Sequence, residues 1–208
     1  MNKILIILCS IFFSYNILAN ESNNQEYLIK DKSIHNVPKV MDFFSFFCPY
    51  CYEFKKNYNI KNLIKNNINK NINIQTYHVD FLGGKLSKIL TKSWIIAEQI
   101  GIEEKIIIPI FKGIQETHTI NNINNIKKIF KQEGKVNKKT FNRFWNSLTI
   151  KVLVQKKNKD VKKSHLNHVP TMIINGKYII NYSTIENSFK DHFAEKCVKL
   201  IRFLIHKK

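Results

Sequence analysis

The run Val40-Met-Asp-Phe-Phe-Ser-Phe-Phe47 is apolar almost without interruption and ends directly in Cys48-Pro-Tyr-Cys51. A short apolar run that does not alternate suits a strand buried on both faces. Beyond the second cysteine, Phe54 and Tyr58 continue at helical spacing, which predicts a helix to about Leu63. A buried strand passing straight into a helix across Cys-x-x-Cys calls for an α/β sheet covered on both sides.

The rest of the chain divides around this unit. Tyr27-Leu-Ile29 is a candidate edge strand, and Ile72-Asn-Ile-Gln-Thr-Tyr-His-Val79 alternates like a second core strand. From residue 81 to 163 the spacing is helical throughout, with segments near 85–100, 103–112, 123–133, 138–145 and 150–163. Gly83-Gly84, Gly101, Gly113 and Gly134 are expected to punctuate them. Trp94 and Trp145 are expected in the core. The lysines of 156–159 and 162–163 are expected on a solvated helix face. Strands then return at Pro170-Thr-Met-Ile-Ile174 and Tyr178-Ile-Ile180, joined by the hairpin signal Asn175-Gly176. Ser183-Thr-Ile-Glu186 reads as a capping box opening a last helix to about Leu204. The simplest architecture is one α/β sheet built from both ends of the chain, with an inserted all-helical subdomain between them.

Residues 1–19 read as an export signal. Lys3 is followed by the apolar stretch Ile4 to Phe13, and Ala19 is the expected cleavage point. The stretch is shorter than the about 20 apolar residues needed to span a bilayer. Its removal takes Cys9 away and leaves Cys48, Cys51 and Cys197 in an oxidising compartment, where a close pair can be a disulfide. The net charge of +19 comes almost wholly from lysine, since Arg143 and Arg202 are the two arginines. Arginine is the preferred phosphate fork. The excess charge is therefore read as solvated surface, and no nucleic-acid partner is expected.

The chemistry centres on Cys48 and Cys51. A cysteine at a helix N-terminus meets unsatisfied N–H groups and the positive end of the macrodipole, which favour its thiolate. Pro49 suits an early helical position because its missing N–H is not needed there. Stabilising the thiolate stabilises the reduced form, so the disulfide becomes a stronger oxidant and Cys48 a better leaving group. A structural zinc site normally has four ligands, and one pair with a distant Cys197 does not supply them. A purely structural disulfide across so short a loop constrains little chain entropy. Redox chemistry is thus favoured over both, with no metal and no cofactor. Pro170 marks a loop-to-strand boundary. Beside a Cys-x-x-Cys it is also a candidate cis proline, with the Val169 backbone free to pair with an extended peptide. Cys197 shares an apolar register with Phe193 and Ile201 and is expected to be a buried, inert thiol.

Across these residues the chain resembles the DsbA family of bacterial thiol:disulfide oxidoreductases. The resemblance runs through Phe43 to Phe54, Tyr77 to Gly84, Trp145-Asn-Ser147 and Val169 to Tyr178, in that order. It implies a thioredoxin-like fold interrupted by a helical subdomain. The halves would be residues 20–80 and 164–208, and the insertion 81–163. It further implies a monomeric periplasmic enzyme that donates the Cys48–Cys51 disulfide to newly exported, reduced proteins and is reoxidised by a membrane partner resembling DsbB. Cys48 maps to the reactive cysteine, Cys51 to the buried one, and Pro170 to the cis proline preceded by Val169. A peptide-binding holdase that uses the same groove without turnover is the rival from another class.

Three departures from the family pattern involve four positions. Tyr50 stands where a His is familiar, which implies a weaker oxidant. Asp42 is shorter than the usual Glu, and Thr76 occupies the place of its lysine partner. Lys55 occupies a helix position that is often acidic, adding positive charge near the cysteines. Tyr50 and Asp42 are expected to support the catalytic group Cys48, Cys51 and Pro170, as are Pro49 and Val169.

Overall fold

The computed structural model describes residues 25–58, 60–68 and 72–207. The expected export signal at residues 1–19 lies outside them. A five-stranded sheet has the order β1-β5-β4-β2-β3 and draws strands from both ends of the chain. These are β1 (Tyr27–Ile29), β2 (Val40–Phe44), β3 (Ile74–His78), β4 (Thr171–Ile174) and β5 (Tyr178–Ile180). All five residues of β2 are buried, as its apolar run requires. It pairs parallel with β3 and antiparallel with β4. In the β4–β5 hairpin, Asn175 and Gly176 both have positive φ, 52° and 65°. Lys177 N–H closes the turn on Ile174 O. This is the conformation for which an Asn-Gly pair is suited.

The alternation along the strands sorts the two faces. Val40, Met172, Ile174 and Tyr178 pack with α2 (Ile60–Asn67), α8 (Tyr182–Ser188) and α9 (Phe193–His206). Met41, Phe43, Tyr77 and Ile173 pack on the opposite face with Ile34, Val161 and Leu166. The helical insertion comprises α3 (Gly84–Ile100), α4 (Glu103–Gln115), α5 (Ile123–Gln132), α6 (Lys138–Trp145) and α7 (Leu148–Ser164). Side chains of Asn122, Asn137 and Ser147 cap α5, α6 and α7, each accepting backbone N–H groups. Trp94, Ile106, Ile110, Phe111, Phe130 and Phe141 make its core. Phe44, Phe46, Cys48, Cys51 and Tyr52 belong to that same apolar cluster, so the insertion packs directly against the cysteine loop.

The sequence expectations need correction at four places. The helix after the cysteines is two helices, α1 (Pro49–Asn57) and α2. The chain turns at Tyr58, whose ring packs on Phe193, and α2 then lies along α9. The last helix is likewise divided. Asn181, two residues before the expected capping box, caps α8 by accepting Thr184 N–H, and a 3-10 turn (Lys190–His192) separates α8 from α9. Gly113 does not stop α4, which continues to Gln115. It is needed for close approach, since a Cβ there would meet Ile120 Cδ1 at 2.5 Å. Finally, Lys157 leaves the solvated lysine run. Its Nζ lies 2.5 Å from Glu98 Oε2 on α3 and donates to Thr76 O at 2.6 Å, with 12% of the side chain exposed. Trp94 is buried as expected, and Trp145 stacks on Phe141.

Candidate active site

β2 delivers the chain to a tight loop, and α1 begins immediately after it. Cys48 is the N-cap of α1, in an extended conformation with φ −95° and ψ 114°, and Pro49 opens the helix. This places Cys48 Sγ where helix N–H groups are unsatisfied. Cys51 N–H donates to that sulfur at 3.2 Å. Both cysteines are free thiols and both are largely buried, Cys51 almost completely at 1% exposure. Tyr50 between them is 66% exposed.

The two thiols are driven apart in acidity. The Cys48 thiol is lowered to about 7, chiefly by a hydrogen bond from the Cys51 side chain. Burial opposes that shift, while backbone hydrogen bonds from Cys51 and Tyr50 add to it. Burial pushes the Cys51 thiol strongly upward, and the neighbouring Cys48 and Asp42 push it further. One sulfur is thus readily ionised near neutrality, and the other holds its proton. In the protonated form Cys48 donates to Val169 O at 3.3 Å, a bond that ionisation gives up.

Val169–Pro170 is a cis peptide bond, and Pro170 and Cys51 line one cavity with Asp42, Lys55, Met172 and Tyr182. Asp42 lies on β2 opposite Thr76 of β3. The acid has a cationic partner from another element: Lys55 Nζ of α1 lies 3.2 Å from Asp42 Oδ2, both side chains mostly buried. Thr76 does not supply the family's lysine, and the acid is paired instead with a lysine on the helix. Thr76 Oγ1 is buried without a hydrogen-bond partner. Cys197 is fully buried in α9, and burial raises its thiol to about 12, as its apolar register implied.

The structure thus brings Cys48, Pro49, Cys51, Val169, Pro170 and Asp42 into one site, with Tyr50 at its exposed rim. Two polar groups there carried no functional signal in the sequence. Gln115, the last residue of α4, donates to Phe46 O at 2.8 Å and to Cys48 O at 3.1 Å. Glu116 accepts the Tyr52 hydroxyl at 2.7 Å. His78 packs on Phe44 and Phe46, as expected of a core residue, and its Nε2 also accepts Phe46 N–H at 3.1 Å.

Residues 36–190 match the family described as Thioredoxin. The chain is 61% identical over 209 residues to the thiol:disulfide interchange protein DsbA of Buchnera aphidicola from Acyrthosiphon pisum, covering 100% of this chain and 99% of the relative. It is 32% identical to DsbA of Escherichia coli K12, with both chains fully covered. Among solved structures, DsbA of Proteus mirabilis with a non-covalently bound peptide superposes with a TM-score of 0.82 at 32% identity, covering 91% of this chain and 100% of that one. The fold is thioredoxin-like, interrupted by the helical insertion, and two cysteines shifted in opposite directions in acidity stand at the start of α1. The chain belongs to the DsbA family of thiol:disulfide oxidoreductases.

Proposed function

We propose that this thiol:disulfide oxidoreductase works in the periplasm, where Cys48 passes the Cys48–Cys51 disulfide to newly exported proteins. The observation that carries this assignment is Cys48 at the α1 N-terminus with its thiol lowered to about 7 beside a buried, hard-to-ionise Cys51. A substrate thiolate attacks Cys48 Sγ in the disulfide form. The S–S bond breaks, and Cys51 leaves and takes up a proton. A second substrate thiolate attacks the substrate sulfur of the mixed disulfide, and Cys48 leaves as the thiolate. The substrate loses two electrons and gains a disulfide, and the enzyme ends as the dithiol. A membrane partner resembling DsbB restores the disulfide.

The supporting groups follow from position. Asp42 disfavours a second negative charge on Cys51. Tyr50, Val169 and Pro170 line a groove with Leu28 and Ile179, suited to an extended peptide whose backbone pairs at Val169. The peptide bound to the Proteus mirabilis relative supports this reading. Action as a monomer is part of this proposal. The catalytic halves are residues 20–80 and 164–208, and the insertion is 81–163. No helix among the described residues is long and apolar enough to cross a membrane.

Oxidative refolding of a reduced two-cysteine protein tests the assignment. Catalytic amounts of the oxidised chain, with glutathione disulfide as reoxidant, are expected to give many turnovers. Refolding at the uncatalysed rate contradicts the assignment. The exposed Tyr50 allows a further prediction. Tyr50→His places a protonatable group beside Cys48 and is expected to shift the glutathione equilibrium roughly threefold to tenfold toward the dithiol protein. An unchanged or opposite shift contradicts it.

A further inference from the structure

We propose that Gln115 of the helical insertion is a positioning residue for Cys48, holding the backbone rotation that aims the α1 N–H groups at its sulfur. The proposal rests on the redox role of Cys48 and adds a part for the insertion in it. The loop from Ser45 to Cys48 lies between β2 and α1 and is closed by Cys48 N–H on Ser45 O at 3.0 Å and Phe47 N–H on Ser45 Oγ at 3.2 Å. Gln115 Nε2 reaches two of its carbonyls, Phe46 O at 2.8 Å and Cys48 O at 3.1 Å. A side-chain amide nitrogen carries two N–H donors, so one group can serve both oxygens. A carboxylate has no donor to offer, and a thioether has none either.

Phe46 is also held through its backbone N–H. Phe46 N–H donates to His78 Nε2 at 3.1 Å, and His78 Nδ1 lies 2.8 Å from Thr91 Oγ1. Thr91 commits its own proton to Ser87 O at 3.1 Å. Nδ1 is therefore the donor in that contact, and Nε2 is left bare to accept. Burial lowers the imidazole to about 3, so this arrangement holds through the neutral range. Thr91 and Ser87 lie on α3 and Gln115 on α4. Phe46 is thus held by His78 of β3, itself backed by Thr91 of α3, and by Gln115 of α4.

The consequence for the sulfur is geometric. Rotation about ψ of Cys48 moves its carbonyl and the following N–H groups together, relative to Cβ and Sγ. The observed ψ of 114° brings Cys51 N–H to 3.2 Å from Sγ. Tyr52 N–H already holds this carbonyl at 3.2 Å as the first hydrogen bond of α1. Gln115 adds a second donor to it and ties it to Phe46 O. Without Gln115 the rotation is held by the α1 bond alone and less tightly, and the thiolate loses part of its hydrogen bonding. The acidity of Cys48 and the oxidising strength of the disulfide then both fall.

Gln115→Met keeps length without a donor, and Gln115→Glu replaces the donor by an acceptor facing two carbonyl oxygens. The thiolate titration of Cys48 and the glutathione equilibrium are measured for both variants and for the unaltered chain. The midpoint is expected to rise by roughly half a pH unit in Gln115→Met and further in Gln115→Glu, with a roughly threefold shift of the equilibrium toward the protein disulfide. Both quantities unchanged in both variants overturn the proposal, even if thermal stability falls, because that result reduces Gln115 to a structural contact. The unaltered chain provides the separation: if it fails to exchange with glutathione, the redox assignment fails instead.

Discussion

Replacing Cys48 by Ser is expected to reduce disulfide transfer to the uncatalysed rate. The hydroxyl cannot form the bond that is handed on. The remaining Cys51 is 1% exposed, and burial holds its thiol protonated. Cys197 is sealed in the core of α9. Neither can substitute for the missing sulfur, because the thiolate is the attacking species and access limits its reaction. Refolding of a reduced two-cysteine protein measures the loss. Cys51→Ala is expected to behave differently: its Cys48 accepts glutathione or a substrate and keeps it, since no neighbouring thiol resolves the mixed disulfide. Intact-mass analysis detects that adduct. Activity unchanged in Cys48→Ser would contradict disulfide transfer through Cys48 and favour a holdase that binds without turnover.

The second large effect concerns stability and lies far from the sulfur. Lys157→Ala is expected to destabilise the chain by about 3 kcal/mol, because removing one member of a buried pair leaves the other charge without compensation. Glu98 stays 18% exposed in its side chain and also meets Gln75 at 3.5 Å, while Thr76 O loses its donor. Burial pushes Glu98 upward and Lys157 downward in pKa, each opposed by the other's charge, so the pair is held against a real desolvation cost. Lys156→Ala, on the exposed side of the same helix, is expected to change stability by less than about 0.5 kcal/mol. Urea unfolding of the two variants makes the comparison. Equal midpoints would contradict the burial argument.

That pair also marks where sequence reading stops. β2, the Cys-x-x-Cys and the Asn175-Gly176 turn are legible because each is a local pattern with a local cause. The insertion helices are legible from apolar spacing, and their boundaries fall within a few residues. Lys157 has no local signature among its lysine neighbours, and only the seam between α3 and α7 selects it. Asn181 and Ser183 are both suitable caps, and the place where β5 ends decides between them. The Asp42–Lys55 pair spans a strand and a helix, so no local pattern joins the two residues. Gln115 is the extreme case, since its role depends on two carbonyls that lie far from it in sequence.

The redox pair itself was readable because its chemistry follows from one structural fact, a cysteine at the start of a helix. That fact has a direct pH consequence. The reduced form gains stability from the Cys48 thiolate above the ordinary thiol range, and the gain is lost as pH falls through about 7. Ultraviolet absorbance of the thiolate in the reduced chain follows this ionisation directly. A single step centred near 7, absent from Cys48→Ser, is the expected result. A step centred near the ordinary thiol value of about 8.5 would contradict the account, since Cys48 would then gain nothing from its place at the helix.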